Sequence, residues 1–205
     1  TGGGSNDTLK ATIALLANQS GTTASFDMGG GTADALTLSD AGTIADADFV
    51  RITNLEVLNL GNGTQTVTLA TNAVASGITT VNGGTGADTV DVNAYTAAST
   101  ISGGGGADII TAATGAITTV DLTTNNAIVT VATSAITDAG YFNVTNFQVG
   151  DDLIDFNGTV KSTNGGQNAV NGNEGGEMGD IASIAAIKLT AEINVAMTAD
   201  TIDDF

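Results

Sequence analysis

Asp88 and Asp108 each follow a glycine cluster, in GGTGADTVD (residues 83–91) and GGGGADIIT (residues 103–111), twenty residues apart. Glycine admits positive φ and close backbone approach, so a run of glycines can aim several carbonyl oxygens at one point. The aspartate behind it adds a carboxylate. Oxygens gathered from two such turns, one stacked on the other, form a flexible cage of about six to eight donors. That donor set suits Ca2+ better than Mg2+ or the nitrogen- and sulfur-seeking metals. The plainer alternative is a tight loop closed by an Asx turn. The charge balance favours the cation, because stacked carboxylates repel one another and no Lys or Arg is placed to relieve them.

Composition narrows the function further. The 205 residues include 22 acidic and four basic side chains, for a net charge of −18, with no His, Cys, Pro or Trp. Nucleic acid and anionic membranes are poor partners for such a surface, since both are bound through Lys and Arg clusters. Without His or Cys a Ser-His-Asp triad, a Cys-His pair and a His-bound zinc are excluded within these residues. A sugar-cleaving carboxylate pair would lack a Trp platform. The expectation is therefore a protein that is not an enzyme. The apolar stretches TIALLA (12–17) and IASIAAI (181–187) fall far short of the roughly 20 residues a membrane span requires, so no membrane insertion is expected.

The turns need elements that stack them in register. Short apolar runs before each Gly or Asn turn place Leu60, Val81, Ile101 and Val120 at spacings of 21, 20 and 19. The runs after each turn place Leu69, Val90, Ile110 and Val129 at the same spacings. Two columns drifting together imply a repeating unit of about twenty residues, in the order strand, turn, strand, turn. SFDMGGGTADALTL (25–38) reads as an earlier unit, separated by an insertion over 39–54, and GGGSNDTLK (2–10) as a degenerate one. The expected fold is all-β: a right-handed parallel β-solenoid over residues 1–135, followed by a C-terminal capping region over 136–205. In that region Phe142, Phe147, Leu153 and Phe156 read as a capping hairpin. Residues 162–180 are Gly/Asn-rich and read as a loop, and Asp180 as the N-cap of a short helix through IASIAAIK.

The two nonapeptides resemble the G-G-x-G-x-D-x-U-x repeat of RTX proteins, whose parallel β-roll binds Ca2+ between successive coils. Position by position, the resemblance implies oxygen ligands from Gly83, Thr85, Gly86 and Asp88 in one turn and from Gly103, Gly105, Gly106 and Asp108 in the next, with Asp88 and Asp108 sharing one ion. In GGGSNDTLK and GGGTADALT the fourth glycine is replaced by Ser5 and Thr32 while Asp7 and Asp34 remain, which implies weaker sites there. GNGTQTVTL (61–69) has lost the aspartate, to Gln or Thr according to a one-residue gap. Residues 142–159 are similar to the segment that follows RTX repeats in type I secreted proteins, and the Thr-rich strands to the bodies of bacterial surface-layer proteins.

These readings lead to a secreted, extracellular, calcium-dependent structural protein at a bacterial cell surface, self-associating into an array or filament. A cell-surface glycan is the other partner class the reading admits. The alternative is a calcium-binding C-terminal secretion and folding module of a larger type I secreted protein such as an adhesin or exoenzyme. An ice-binding or adhesive face would need a regular column through Thr37, Thr68, Thr111 and Thr130.

Overall fold

The computed structural model describes residues 2–17, 25–122, 128–132, 142–146, 153–157 and 187–189. Their short alternating runs of Val, Ile, Leu and Thr form strands, as β-branched residues bounded by Gly and Asn should. The strands are β1 (Thr8–Ala11), β2 (Phe26–Asp27), β3 (Ala35–Leu38), β4 (Gly42–Ile44), β5 (Ile52–Thr53), β6 (Val57–Asn59), β7 (Gln65–Thr68) and β8 (Thr80–Asn82). They continue with β9 (Thr89–Asp91), β10 (Ser99–Ser102), β11 (Ile109–Thr111), β12 (Thr118–Asp121), β13 (Ile128–Ala132), β14 (Phe142–Thr145), β15 (Leu153–Asn157) and β16 (Ile187–Leu189). Among the described residues helix is confined to α1 (Ile13–Ala17), α2 (Thr71–Ser76) and a 3-10 turn at Asp46–Phe49. No helix among the described residues is long and apolar enough to cross a membrane.

Every described pairing is parallel. One sheet has the order β1-β3-β6-β8-β10-β12-β14-β16, a second the order β15-β13-β11-β9-β7-β4, and β2 pairs with β5 in a two-stranded ribbon. From β6 to β13 successive strands alternate between the two larger sheets, so each repeat adds one strand to each. Inward positions line up as continuous columns. Leu36, Leu58, Val81, Ile101, Val120 and Val144 in the first sheet, and Ile44, Val67, Val90 and Ile110 in the second, are all fully buried. Each such aliphatic side chain contributes about 1.5–3 kcal/mol. The core is thus a file of Leu, Ile and Val, with Tyr95 and Phe49 as its largest fully buried members.

The pairing corrects the repeat spacing in one place. Val81, Ile101 and Val120 are paired as expected, and so are Val90, Ile110 and Val129. Val81 pairs with Leu58, however, and Val90 with Val67, so the first interval is 23 residues. Leu58 and Leu60 both face inward, as do Val67 and Leu69. A shift of two residues preserves the burial pattern, so alternation alone does not decide between them. The segment 39–54 is likewise no insertion: it holds β4 of the second sheet, the 3-10 turn and β5.

The strands at 142–145 and 153–157 do not pair with each other as a hairpin. β14 adds to the first sheet beside β12, and β15 to the second beside β13. Ile187 and Lys188 are strand where a helix is expected, and with Leu189 they pair with β14. The rest of that expected helix, at 181–186, and the loop at 162–180 lie outside the described residues. The threonine column also dissolves: Thr37 belongs to the first sheet, and Asp91 stands between Thr68 and Thr111 in the second.

Candidate metal centre

The two sheets are joined by connections of two kinds. From the first sheet to the second, nine residues separate Leu58 from Val67, Val81 from Val90, and Ile101 from Ile110. On the return, the separation is fourteen from Val67 to Val81, eleven from Val90 to Ile101, and ten from Ile110 to Val120. Equal length lets the outgoing turns stack, and these are the turns that contain Gly83–Asp88 and Gly103–Asp108. Their contact leaves no room for a side chain, because a Cβ on Gly83 would lie 1.7 Å from the Gly103 carbonyl oxygen. Gly106 also takes φ +127°, a conformation that L side chains rarely adopt.

Asp88 and Asp108 lie at the same register in consecutive repeats, each 1% exposed. Asp88 Oδ1 accepts the Gln65 N–H at 2.8 Å, and Asp108 Oδ1 accepts the Asp88 N–H at 2.8 Å. One oxygen of each carboxylate therefore fastens its repeat to the one before. The second oxygens differ. Asp88 Oδ2 accepts the Gly84 N–H at 3.3 Å, whereas Asp108 Oδ2 is buried with no hydrogen-bond partner. Burial pushes both carboxyls up from the ordinary aspartate range. At Asp88 the Gln65 and Gly84 N–H groups oppose the rise; at Asp108 the Asp88 N–H opposes it and the Asp88 charge adds to it.

A hard cation fits this donor set, which is oxygen throughout. A buried carboxylate oxygen without a partner is costly unless a proton or a cation meets it. The sequence-expected ligands fall into two groups. Asp88, Asp108, Gly83, Gly86, Gly103 and Gly106 converge where the turns meet: a Cβ on Gly106 would sit 2.2 Å from the Gly86 carbonyl oxygen, and one on Gly103 2.3 Å from Asp108 Oδ2. Thr85 and Gly105 lie farther out, Thr85 being exposed and the Gly105 N–H donating to the Gly84 carbonyl at 2.9 Å. Among the described residues no three His, Cys, Asp or Glu side chains form a metal-holding group. A cation here would draw on two carboxylates and several backbone carbonyls.

Asp7 and Asp34 form a separate pair. Their turns lead into β1 and β3 of the first sheet, whereas the turns of Asp88 and Asp108 lead out of that sheet. The pattern of contacts repeats: the Asp7 N–H donates to Asp34 Oδ1 at 2.6 Å, and the Asp34 N–H to Glu56 Oε2 at 2.9 Å. Asp7 Oδ2 accepts the Gly3 N–H at 2.7 Å, and Asp34 Oδ2 is buried without a partner. Glu56 is a carboxylate that glycine motifs miss, since it follows Asn54 and Leu55. Its position immediately before a strand, like that of Asp7 and Asp34, is the signal that identifies it.

Asp46 was also missed. It accepts the N–H groups of Ala70, Asn72 and Ala73 at 2.7, 3.0 and 2.9 Å, capping α2 from the preceding repeat. Beneath that return connection the Tyr95 hydroxyl donates to the Ile78 carbonyl, and burial first, then the Asp46 charge, pushes its pKa up to about 12. No protein-family model, curated protein or solved structure matches this chain.

Proposed function

We propose that the two parallel sheets are opposite faces of a right-handed β-solenoid of the RTX β-roll kind, that Ca2+ binds between its stacked glycine-aspartate turns, and that the protein is an extracellular structural block of a bacterial surface layer or similar array. The observation that carries the reading is Asp108 Oδ2, a buried carboxylate oxygen without a partner, in a turn stacked on its twin. A cation there answers a desolvation cost that no described side chain answers. Ca2+ then acts as a folding cofactor, because a cage of clustered carboxylates is unfavourable when empty and binding free energy becomes folding free energy.

The structural role follows from what the chain lacks and what it repeats. With no His or Cys, the Gly and Asp residues that recur from repeat to repeat go into turns that hold strands in register, which suits a rigid block better than a catalyst. Calcium titration followed by circular dichroism tests the ion, with strand signal rising as Ca2+ is added and falling with chelator. Electron microscopy and sedimentation test the assembly: ordered sheets or filaments in Ca2+, dispersed by chelator and reformed on its return. A calcium-ordered monomer at high protein and Ca2+ concentrations would replace the surface-layer reading with that of a secretion and folding module. A spectrum indifferent to Ca2+ would remove both.

A further inference from the structure

We infer that Gln65 is a neutral oxygen ligand in a second, weaker Ca2+ site, at the turn of residues 61–65. This deepens the calcium reading above and rests on it. By motif, the turn at 61–65 had lost its site together with its aspartate.

The geometry of the turn is intact. Gln65 occupies the register of Asp88 and Asp108, since Thr66 pairs with Thr89 and Thr89 with Ile109. Its N–H donates to Asp88 Oδ1 at 2.8 Å, as the Asp88 N–H donates to Asp108 Oδ1 at 2.8 Å. The carbonyl contacts also repeat. A Cβ on Gly84 would lie 2.0 Å from Gly61 O and one on Gly86 2.2 Å from Gly63 O; one repeat on, the contacts of Gly104 with Gly84 O and of Gly106 with Gly86 O are both 2.2 Å. The pair of turns at 61–65 and 83–88 thus matches the pair at 83–88 and 103–108 at these two carbonyls, while Leu60 stands at the register of Gly83.

The side chain supplies an independent sign of a ligand. Gln65 is 0% exposed. Its Nε2 donates to the Asp40 carbonyl of the preceding turn at 3.1 Å, which fixes the amide, and Oε1 is left buried with no hydrogen-bond partner. In the file Gln65, Asp88, Asp108, the first and third members each hold one such oxygen. A residue that only filled this space would be apolar, because a buried amide oxygen without a donor is unfavourable. Glutamine carbonyls are ordinary Ca2+ ligands, and replacing a carboxylate by one lowers the charge of the site and so its affinity. The substitution also spares the file a third stacked negative charge.

The test is the calcium stoichiometry of the full chain, by flow dialysis with radioactive Ca2+ and by calorimetry, for wild type, Gln65→Leu, Gln65→Glu and Asp108→Ala. Gln65→Leu should lose the weaker binding step, and Gln65→Glu should keep it with affinity raised about tenfold or more. Unchanged count and affinities in Gln65→Leu would overturn the inference whatever the other variants show. Should Gln65→Leu not fold, Gln65→Glu decides alone, with a tightened weaker step supporting the site and an unchanged one overturning it. A change at Asp108→Ala with none at Gln65 would leave the general calcium reading standing. Wild type that binds no Ca2+ would remove both.

Discussion

Replacing Asp108 separates the two tasks its carboxylate performs. Oδ1 accepts the buried Asp88 N–H, and Oδ2 has no partner. Asp108→Asn can keep the first interaction while removing the charge; Asp108→Ala loses both and leaves the Asp88 N–H without its acceptor, at a cost of about 1–3 kcal/mol. At pH 7 in chelator the Asn variant should be at least as stable as wild type, because it no longer buries an ionised group beside Asp88. Calcium should reverse the order. At a Ca2+ concentration of about 100 times the wild-type dissociation constant, one site stabilises wild type by about 2.7 kcal/mol. If losing the charged ligand weakens binding about a hundredfold, the same concentration gives the Asn variant about 0.4 kcal/mol. Urea unfolding by circular dichroism, with and without Ca2+, reads the difference. Equal gains from Ca2+ in wild type and Asp108→Asn would falsify the assignment of Oδ2 as a ligand. A large loss of stability in chelator for the Asn variant would mean that the charge serves the fold itself.

Acid should partly substitute for calcium. The folded Asp88 and Asp108 carboxyls titrate above the ordinary value of 3.8, so their contribution is full below that value and is lost as pH rises through their raised folded values. Calcium-free protein should therefore show more strand signal near pH 4 than at pH 7, and Ca2+ binding should release protons. Asp27 acts in the opposite sense: the Asn54 amide first, then the Gly29 N–H, lowers its pKa, so its contribution is lost as pH falls through that lowered value. Gly83→Ala should cost more than about 3 kcal/mol in Ca2+, since the new Cβ would meet backbone, whereas Gly115→Ala, with nothing within 4 Å, should be nearly neutral in the same melts. Asp46→Ala removes the acceptor of three N–H groups at the start of α2 and should cost about 2 kcal/mol, with Asp46→Asn intermediate. Thermal unfolding of the three proteins would show it.

The repeat, the strand content and the pairing of Asp88 with Asp108 were legible in the residues themselves. Each depends on short-range chemistry: glycine where turns must touch, β-branched residues alternating inward, and a carboxylate at a constant offset from both. Where the unit length is constant, as from Val81 to Ile101 to Val120, reading along the chain gave the true partners. Where it varies, tertiary structure decided. Leu58 and Leu60 are equally apolar and equally inward, so only the length of the return through α2 selects Leu58 as the partner of Val81. The same holds for the aspartates of similar glycine motifs. Asp34 and Asp88 have nearly the same neighbours in sequence, yet they lie at opposite ends of the first sheet's strands, because a turn motif does not record which sheet it leaves and which it enters. Glu56 carries no glycine signature, and Gln65 follows one that has no aspartate to mark its position. Their places in the two files follow from parallel pairing across repeats, a long-range property that puts a residue beside its counterpart about twenty positions away whatever its local sequence says.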